Sequence, residues 1–447
     1  MENTFVLKGD ICFSKNAQNL ECLPGGYAVC VDGMSHGAFA VLPERYAALP
    51  LYDFSGMLVI PGLVDLHAHA PQYAFRGLGM DLELLDWLAQ RAFPEEARYD
   101  DLAYAERAYD LFADALRRGP NTRACVFATR HVTATELLMD KLERSGVVTF
   151  AGKVNMDRNS HPDLREQSAE ASIAETVGWL ERTSGAYANT APILTPRFIP
   201  SCSDTLLQGL EAIRKEYRLP LQSHLSENRS ETAWVKELCP SASGYADAYR
   251  RHGMLGGEQP AIMAHCVWLD ERETAMLRDE GTYVAHCPQS NMNLSSGIAP
   301  ARRYLDAGLN MGLGSDMAGG CHLSIFRVMS DAVQVSKLRA CLVDPADAPL
   351  TLEEAFYLGT AGGGAFFGAA GTGAFSGRAQ NGPCGSFAPG CEFDALAIDD
   401  RDEDLAAPFA LGLPERLARV VYFSENRHIR AKFVRGACLF HHKEALA

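Results

Sequence analysis

Hydrophobic and polar residues follow two different patterns along the chain. Up to residue 60, short apolar runs are separated by Gly, Asn and Pro, which is typical of short β-strands. After residue 61, strand-length apolar runs alternate with longer stretches of helical periodicity. This alternation predicts βα units built around a parallel sheet.

Eight such apolar runs occur, which is the strand count of a (β/α)8 barrel. They cover residues 64–69, 123–129, 147–155, 191–198, 220–227, 261–266, 282–288 and 310–316. Helical periodicity is clear in segments 84–93, 105–118, 274–280 and 325–342. A Gly-rich tract at 358–387 is interpreted as the exit from the barrel, and strand-like runs return after it.

The sequence therefore predicts an α/β fold in three segments. Residues 61–384 are expected to form a (β/α)8 TIM-type barrel. Residues 1–60 and 385–447 are expected to pair into one small β-sandwich domain beside it. A chain of 447 residues is long enough for this combination of one large and one small domain.

Composition narrows the choice of partners. A net charge of −15 repels phosphate backbones, so no nucleic-acid partner is expected. No apolar run reaches the length of a membrane span, and the N-terminus lacks the basic and apolar regions of a secretory signal. The 13 cysteines include no C-x-x-C pair and are interpreted as reduced core thiols. A cytoplasmic location and a small-molecule substrate are expected.

Polar residues lie at the carboxyl ends of the predicted strands, which is the face where barrel active sites form. His67 and His69 are two residues apart on one strand, so their rings should point to the same side. His224, His265 and Asp316 end the fifth, sixth and eighth runs. Imidazole nitrogens and a carboxylate are ligands that suit Zn²⁺, and also Fe²⁺ or Mn²⁺.

A lone H-x-H motif is weak support for a metal site, and three further ligand types at successive strand ends make it strong. The fourth run contains no lysine to bridge two metals, which favours one metal per chain. His286 is interpreted as a structural residue. The alternatives are that it binds the metal or contacts the substrate. No function is assigned to His131, His252, His322 or His428.

Candidate catalytic residues surround this predicted metal site. Glu227 follows His224 by three residues and is placed to move protons between water and a leaving group. Asp316 is expected to act both as a ligand and as a proton acceptor. His265 is expected to orient water or to stabilise developing charge. The alternative for Glu227 is a solvated loop residue.

Three further residues are candidates for substrate recognition. The Gln72 amide both donates and accepts hydrogen bonds, and the Arg197 guanidinium suits a carbonyl or ring-nitrogen edge. Phe198 is placed to stack on a flat ring. The plainer alternatives are a surface salt bridge for Arg197 and core packing for Phe198. A flat, polar, uncharged heterocycle fits the three better than a peptide or a sugar.

These segments resemble a known family, the guanine deaminases of the amidohydrolase superfamily. The resemblance rests on PGLVDLHAHAPQ, LLDWL with the following FP, FAGKVNMD, LTPRF, QSHLSEN, AHCPQSNMNLSSG and GLGSDMAGG, and it spans nearly the whole chain. It implies zinc-dependent deamination of guanine to xanthine and ammonia. The metal ligands would be His67, His69, His224 and Asp316, with Glu227 as proton shuttle and His265 assisting. Gln72, Arg197 and Phe198, together with His224 and Glu227, would contact the purine, and a homodimer is implied.

Other functions stay open. A related deaminase acting on 8-oxoguanine, a pterin or an aminotriazine would share the metal site and differ only in its ring contacts. A catalytically silent barrel that serves as a scaffold usually lacks a ligand or the acid, and this chain has both. A hydrolase of an amide ring is disfavoured by the missing lysine. The H-x-E and P-C-x-x-C pattern of cytidine-deaminase-like enzymes is absent from the sequence.

Overall fold

The protein is described by a computed structural model over residues 3–371 and 382–442. Its strands are β1 (Phe5–Asn16), β2 (Asn19–Val31), β3 (Met34–Phe39), β4 (Leu51–Pro61), β5 (Leu63–His69), β6 (Asn121–Phe127), β7 (Val148–Gly152), β8 (Val154–Asn155), β9 (Thr190–Pro192), β10 (Thr195–Pro196), β11 (Leu221–Leu225), β12 (Ala261–His265), β13 (Tyr283–His286), β14 (Asn310–Leu313), β15 (Ala395–Ile398), β16 (Ile429–Val434) and β17 (Ala437–His441).

Most helices lie in the segments that connect or follow the barrel strands, and the last helix lies in the C-terminal region. They are α1 (Leu84–Trp87), α2 (Phe93–Ala97), α3 (Leu102–Arg118), α4 (Val132–Ser145), α5 (Ala169–Thr183), α6 (Asp204–Tyr217), α7 (Arg229–Leu238), α8 (Tyr245–Arg250), α9 (Glu271–Asp279), α10 (Pro288–Asn293), α11 (Ala301–Asp306), α12 (Ile325–Leu342), α13 (Leu352–Tyr357), α14 (Gly363–Ala370) and α15 (Leu413–Phe423). In the described residues, no helix is both long and apolar enough to cross a bilayer.

The prediction of a small β domain made from both ends of the chain is confirmed. Seven strands form one sheet in the order β17-β16-β15-β4-β1-β2-β3. Strand β4 pairs with both β1 and β15, and in this way it joins the N-terminal strands to the C-terminal ones. Aromatic side chains fill the core of this sheet, with the ring of Phe5 lying 5.5 Å from Phe393 and 5.1 Å from Phe433. The hydrogen-bonded arrangement is therefore one continuous sheet.

The eight predicted strand regions are all present and run parallel in chain order. They form the sheets β5-β6-β7-β9 and β11-β12-β13-β14, with β8 and β10 as a short outer pair. A parallel bridge between Leu194 and Leu221 joins the two sheets. At the other junction, the amide of Asp316 donates to the carbonyl of His67 at 2.8 Å. These two junctions close the barrel, as the α/β pattern predicts.

The first part of the Gly-rich tract, which the sequence analysis interpreted only as the exit from the barrel, is helical. Residues Leu352–Ala370 run as helix, with a π-helical segment at Leu358–Gly362 between α13 and α14. A Cβ at Gly362 would lie 2.8 Å from the Met311 carbonyl oxygen, and one at Gly364 only 2.0 Å from the Cys384 carbonyl oxygen. Glycine here allows a helix to pack closely under the barrel. Residues 372–381 of the tract lie outside the described residues.

The amino end of the barrel is sealed by apolar side chains. Phe366 and Phe367 of α14 are fully buried in the interior cluster, and both rings pack against Phe150 at 5.7 and 5.3 Å between centroids. Val64 and Leu66 of β5 belong to the same cluster. The interior below the carboxyl ends of the strands is therefore solid core, as in other barrels of this size.

A buried ion cluster joins the barrel to the small β domain. Arg123 of β6 is 0% exposed and makes a two-pronged contact with Asp394 at 2.6 and 2.9 Å, and a third contact with Glu392 at 2.7 Å. Arg435 completes the cluster. Its backbone amide donates a hydrogen bond to the Asp394 carboxylate, and its guanidinium forms an ion pair with Glu392. Two buried arginines thus pair with two buried carboxylates, and removing either arginine leaves negative charge unpaired in the core.

We expect Arg123→Leu to destabilise the protein by about 3–5 kcal/mol, because it leaves Asp394 without its main partner in the core. Urea unfolding followed by circular dichroism measures the change. The matched control is Arg118→Leu, since the Arg118 side chain is 72% exposed beside Asp114. That exposed pair should change stability by no more than about 1 kcal/mol. Equal effects of the two substitutions would contradict this account of the cluster.

Candidate active site

A β-bulge in β5 turns the two motif histidines into the barrel. Along β5, Val64 and Leu66 face the interior, so strict alternation would point His67 outward. The pairing with β6 shifts register between Asp65 and Ala68, where β5 has one residue more than its neighbour. The extra residue reverses the alternation, so His67 and His69 point inward while Ala68 joins the outer core.

The Asp65 carboxylate stabilises this bulge and ties it to the last strand. It accepts the amide of His67 at 3.1 Å and the amide of Ser315 at 2.9 Å. Burial raises the pKa of this carboxyl group to about 6. Gly314 is needed beside it, because a Cβ there would lie 2.8 Å from the Cβ of His67. The first and last strands can therefore approach closely enough to bring His67 and Asp316 together.

Four predicted ligands converge at the carboxyl end of the barrel. The Nε2 atoms of His69 and His224 lie 3.1 Å apart. The Asp316 carboxylate oxygen Oδ1 lies 3.2 Å from Nε2 of His67 and 3.5 Å from Nε2 of His69. His265 is also close, with its Nε2 atom 3.9 Å from the second Asp316 oxygen. The structure thus brings together all the metal candidates from four separate strands.

The donors in this group fit a divalent metal. Both ring nitrogens of His67 are buried with no hydrogen-bond partner in the described chain. The Nδ1 atom of His224 lies 2.6 Å from the Arg197 carbonyl oxygen, so it carries the proton and leaves Nε2 as a lone pair. Burial and neighbouring histidines hold the pKa of His69 and His224 well below the ordinary value, which keeps both rings neutral. Neutral imidazoles with one carboxylate form a typical zinc ligand set.

Asp316 remains a carboxylate in this environment. Burial opposes its ionisation, but the nearby His67 and His265 rings hold its pKa well below the ordinary value. Two groups of atoms are close enough to share one ion: His67, His69 and His224, and His67, His265 and Asp316. His67 belongs to both groups and is completely buried, which puts it at the centre of the cluster.

Glu227 lies beside the cluster, in contact with His265. One of its carboxylate oxygens is 3.3 Å from Nε2 of His265, and the other accepts the Ser296 hydroxyl at 3.1 Å. Burial, together with the negative charge of Asp316, raises the pKa of Glu227 well above the ordinary value. The alternative of a solvated loop residue is wrong, because Glu227 is only 4% exposed.

Several supporting residues were missed by the sequence analysis. Nδ1 of His265 lies 2.9 Å from the Asn291 side-chain oxygen, which fixes the tautomer and turns Nε2 toward the cluster. Glu231 accepts the amide of Glu227 at 2.9 Å and the Tyr245 hydroxyl at 2.7 Å. Ser296 and Asn291 follow β13 in the quoted segment AHCPQSNMNLSSG, but the sequence alone did not reveal what they contact.

The three substrate candidates line the same cavity as the metal cluster. Gln72, Arg197 and Phe198 face it together with His69, His224, Glu227, His265 and Asp316. Arg197 is only 3% exposed, so the alternative of a surface salt bridge is wrong. Its guanidinium contacts the Glu96 carboxylate at 2.5 Å and lies 5.0 Å over the ring of Phe93.

Apolar side chains form the rest of the cavity wall. Leu84, Trp87 and Leu88 come from the segment that begins with α1, and Leu294 comes from the segment after α10. The indole N–H of Trp87 is buried with no acceptor in the described part of the chain. Helical periodicity predicted a helix in 84–93, but it does not show which side of a short helix covers a pocket.

Backbone strain is present at three of the strand ends that hold the site. Ser226, His265 and Asp316 have positive φ angles of 49°, 73° and 43°. Each such conformation in a non-glycine residue costs on the order of 1–3 kcal/mol and persists only where the surrounding structure imposes it. Here it directs the Asp316 and His265 side chains into the cavity.

Two further ionisable residues are buried but belong to neither candidate ligand group in the described residues. The Lys153 ammonium forms a buried ion pair with Glu166. His286 is 1% exposed and both of its ring nitrogens have no hydrogen-bond partner among the described residues. Burial lowers the pKa of His286 to about 4, so this ring is neutral.

Comparisons with known proteins agree with this arrangement. The model of the amidohydrolase family matches residues 58–438. A guanine deaminase from Dictyostelium discoideum is 37% identical over 390 residues, covering 86% of this chain and 83% of that protein. The human guanine deaminase is 36% identical over 386 residues, covering 84% and 82%. A crystal structure of guanine deaminase from C. acetobutylicum with bound guanine in the active site superposes with a TM-score of 0.91, at 38% identity, over 98% of this chain and 100% of that one.

The closed barrel, its sheet domain and the buried His/Asp cluster define a metal-dependent hydrolase. The chain belongs to the amidohydrolase family, and its relatives there place it among the guanine deaminases. This agrees with the resemblance seen in the sequence motifs.

We expect His67→Ala to remove most of the bound divalent metal, because His67 lies at the centre of both ligand groups. Elemental mass spectrometry of the purified protein, loaded in zinc-containing buffer, measures the metal content. The matched control is His36→Ala, which changes an exposed histidine of β3 whose ring contacts Tyr46. Full metal content in the His67 variant would show that the ion binds elsewhere.

Proposed function

We propose that the chain catalyses the hydrolytic deamination of guanine to xanthine and ammonia with one zinc ion per chain. The observation that carries this proposal is a single buried cavity in which the His/Asp cluster, a carboxyl group with a raised pKa and three candidate purine contacts meet. His67, His69, His224 and Asp316 would hold the ion. When bound, zinc would act as a Lewis acid that makes water a nucleophile near neutral pH.

Carboxylates of the chain transfer the protons in the proposed reaction. Water adds to C2 of guanine, and the bond between C2 and the exocyclic nitrogen breaks to release ammonia. Glu227 takes a proton from the attacking water and delivers one to the leaving amine. Asp316 acts as a second proton acceptor. His265, held by Asn291 and lying 3.3 Å from Glu227, stabilises the charge that develops on attack.

The purine is held by other groups that line the same cavity. The Gln72 amide and the Arg197 guanidinium supply hydrogen bonds to the polar edge of the ring, and Phe198 supplies a flat apolar face. His224 and Glu227 contact the ring near the reacting carbon. The apolar residues Leu84, Trp87 and Leu88 exclude water from this space.

Three further features are part of this proposal. The domain limits are those expected from the sequence: 1–60 and 385–447 for the sheet domain and 61–384 for the barrel. A homodimer is supported by the exposed apolar side chains Leu338, Leu342 and Val343 at the end of α12, which are 47%, 77% and 56% exposed. A cytoplasmic location is supported by thirteen cysteines that are all free.

We expect the zinc-loaded protein to convert guanine to xanthine and ammonia in preference to 8-oxoguanine, adenine and a pterin. An end-point assay read by mass spectrometry, with all four rings tested in parallel, measures this. Consumption of another aminated ring while guanine stays intact would keep the metal site and refute the assigned purine contacts. Inactivity on every ring, with one metal bound, would favour a silent scaffold.

We expect Glu227→Gln to keep fold and metal but to lower kcat by about a hundredfold or more, because the amide cannot carry a proton between water and amine. Steady-state kinetics and metal analysis together measure this. The matched control is Glu237→Gln, an exposed position on the following helix. Full turnover in the Glu227 variant would rule out its role as a shuttle.

A further inference from the structure

One buried carboxylate contacts both polar residues of the proposed purine wall. Glu96, at the end of α2, is 1% exposed. Its Oε1 atom accepts the Gln72 side-chain amide at 2.9 Å, and its Oε2 atom accepts the Arg197 guanidinium at 2.5 Å. Each carboxylate oxygen therefore holds a different recognition residue.

This contact fixes which way the Gln72 amide faces. Its nitrogen donates to Glu96, and its oxygen accepts the backbone amide of Ala318 at 3.1 Å. Since an anion accepts only from the nitrogen and an N–H donates only to the oxygen, the flipped amide would lose both bonds. One N–H and one lone pair of Gln72 remain for a ligand.

The same carboxylate holds the Arg197 guanidinium in place. One N–H donates to Glu96, and the guanidinium packs over the ring of Phe93. The other guanidinium donors remain available on the cavity side. The Arg197 backbone carbonyl lies against Nδ1 of His224. Arg197 is therefore part of the proposed purine wall and also contacts a candidate metal ligand.

We propose that Glu96 is a positioning residue that sets the preference for an oxo-purine by holding Gln72 and Arg197 in one fixed arrangement. The inference rests on the proposed function, because it assumes that these two residues bind the purine edge. Glu96 does not line the described cavity, so it acts through its two partners and not on the ring itself.

The test compares Glu96→Gln with the wild-type enzyme. The glutamine keeps the shape of the side chain but has no charge and only one oxygen, so one of the two partners loses its acceptor. We expect KM for guanine to rise on the order of tenfold or more. We expect kcat to change by less than about threefold, because the interaction is lost in binding and not in the chemical step.

A second substrate tests specificity directly. The analogue 2-aminopurine carries the same amine at C2 but lacks the carbonyl at C6. We expect the wild type to prefer guanine in kcat/KM, and the Glu96→Gln enzyme to lose most of that preference. A purely structural role would lower the amount of active enzyme for both substrates equally and would leave this ratio unchanged.

The neighbouring residue provides the matched control. Glu95 is also a carboxylate on α2, but it accepts hydrogen bonds from Tyr104 and Arg98, whereas Gln72 and Arg197 donate to Glu96. Glu95→Gln should leave both KM and the guanine preference at wild-type values. Zinc content and melting temperature are measured for each variant, and Glu96→Asp, which is too short to reach both partners, replaces the glutamine variant if that one does not fold.

The outcomes separate the two proposals. A wild-type enzyme that does not act on guanine contradicts the proposed function itself. An active wild type whose Glu96 variants keep KM and substrate preference contradicts only the positioning role. A fall in kcat alone, with KM unchanged, would also overturn it, because Glu96 would then act on the chemical step.

Discussion

The site depends on the junction between the first and the last barrel strands. At this junction the bulged strand β5 lies against the end of β14, and a single buried carboxylate, Asp65, accepts an amide from each side. This junction closes the barrel, stabilises the bulge that reverses the alternation of β5, and brings the Asp316 amide onto the His67 carbonyl. Barrel closure and assembly of the ligand cluster are therefore one structural event, and loss of either would disturb the other.

Much of this could be predicted from the sequence, for identifiable reasons. Each barrel strand is a run of apolar residues with a polar residue at its carboxyl end, so both the eight strands and the candidates His67, His224, His265 and Asp316 were visible. The bulge was not visible, because one extra residue changes pairing without changing composition. The Gly-rich helix was missed because glycine usually marks a turn, whereas here it permits close packing.

The supporting layer of the site was the part least accessible to prediction. Glu96, Asn291 and Ser296 are ordinary polar residues in sequence, and their role comes only from the partners that the fold provides. Each contacts a residue that was identified from its chemistry. The pattern is general in preorganised sites, where one layer of side chains holds the orientation of another. Long-range contacts of this kind have no periodic signature for a sequence to display.

The packing at the amino end of the barrel has a consequence for how substrate enters and product leaves the site. With Phe366 and Phe367 filling the interior below the cluster, the described residues block passage through the amino end of the barrel. Under the proposed reaction, xanthine must leave by the path that guanine enters. The two rings would then exclude one another, and accumulated product would slow turnover as a competitive inhibitor. Ammonia, being far smaller than the ring, could depart first past the apolar wall.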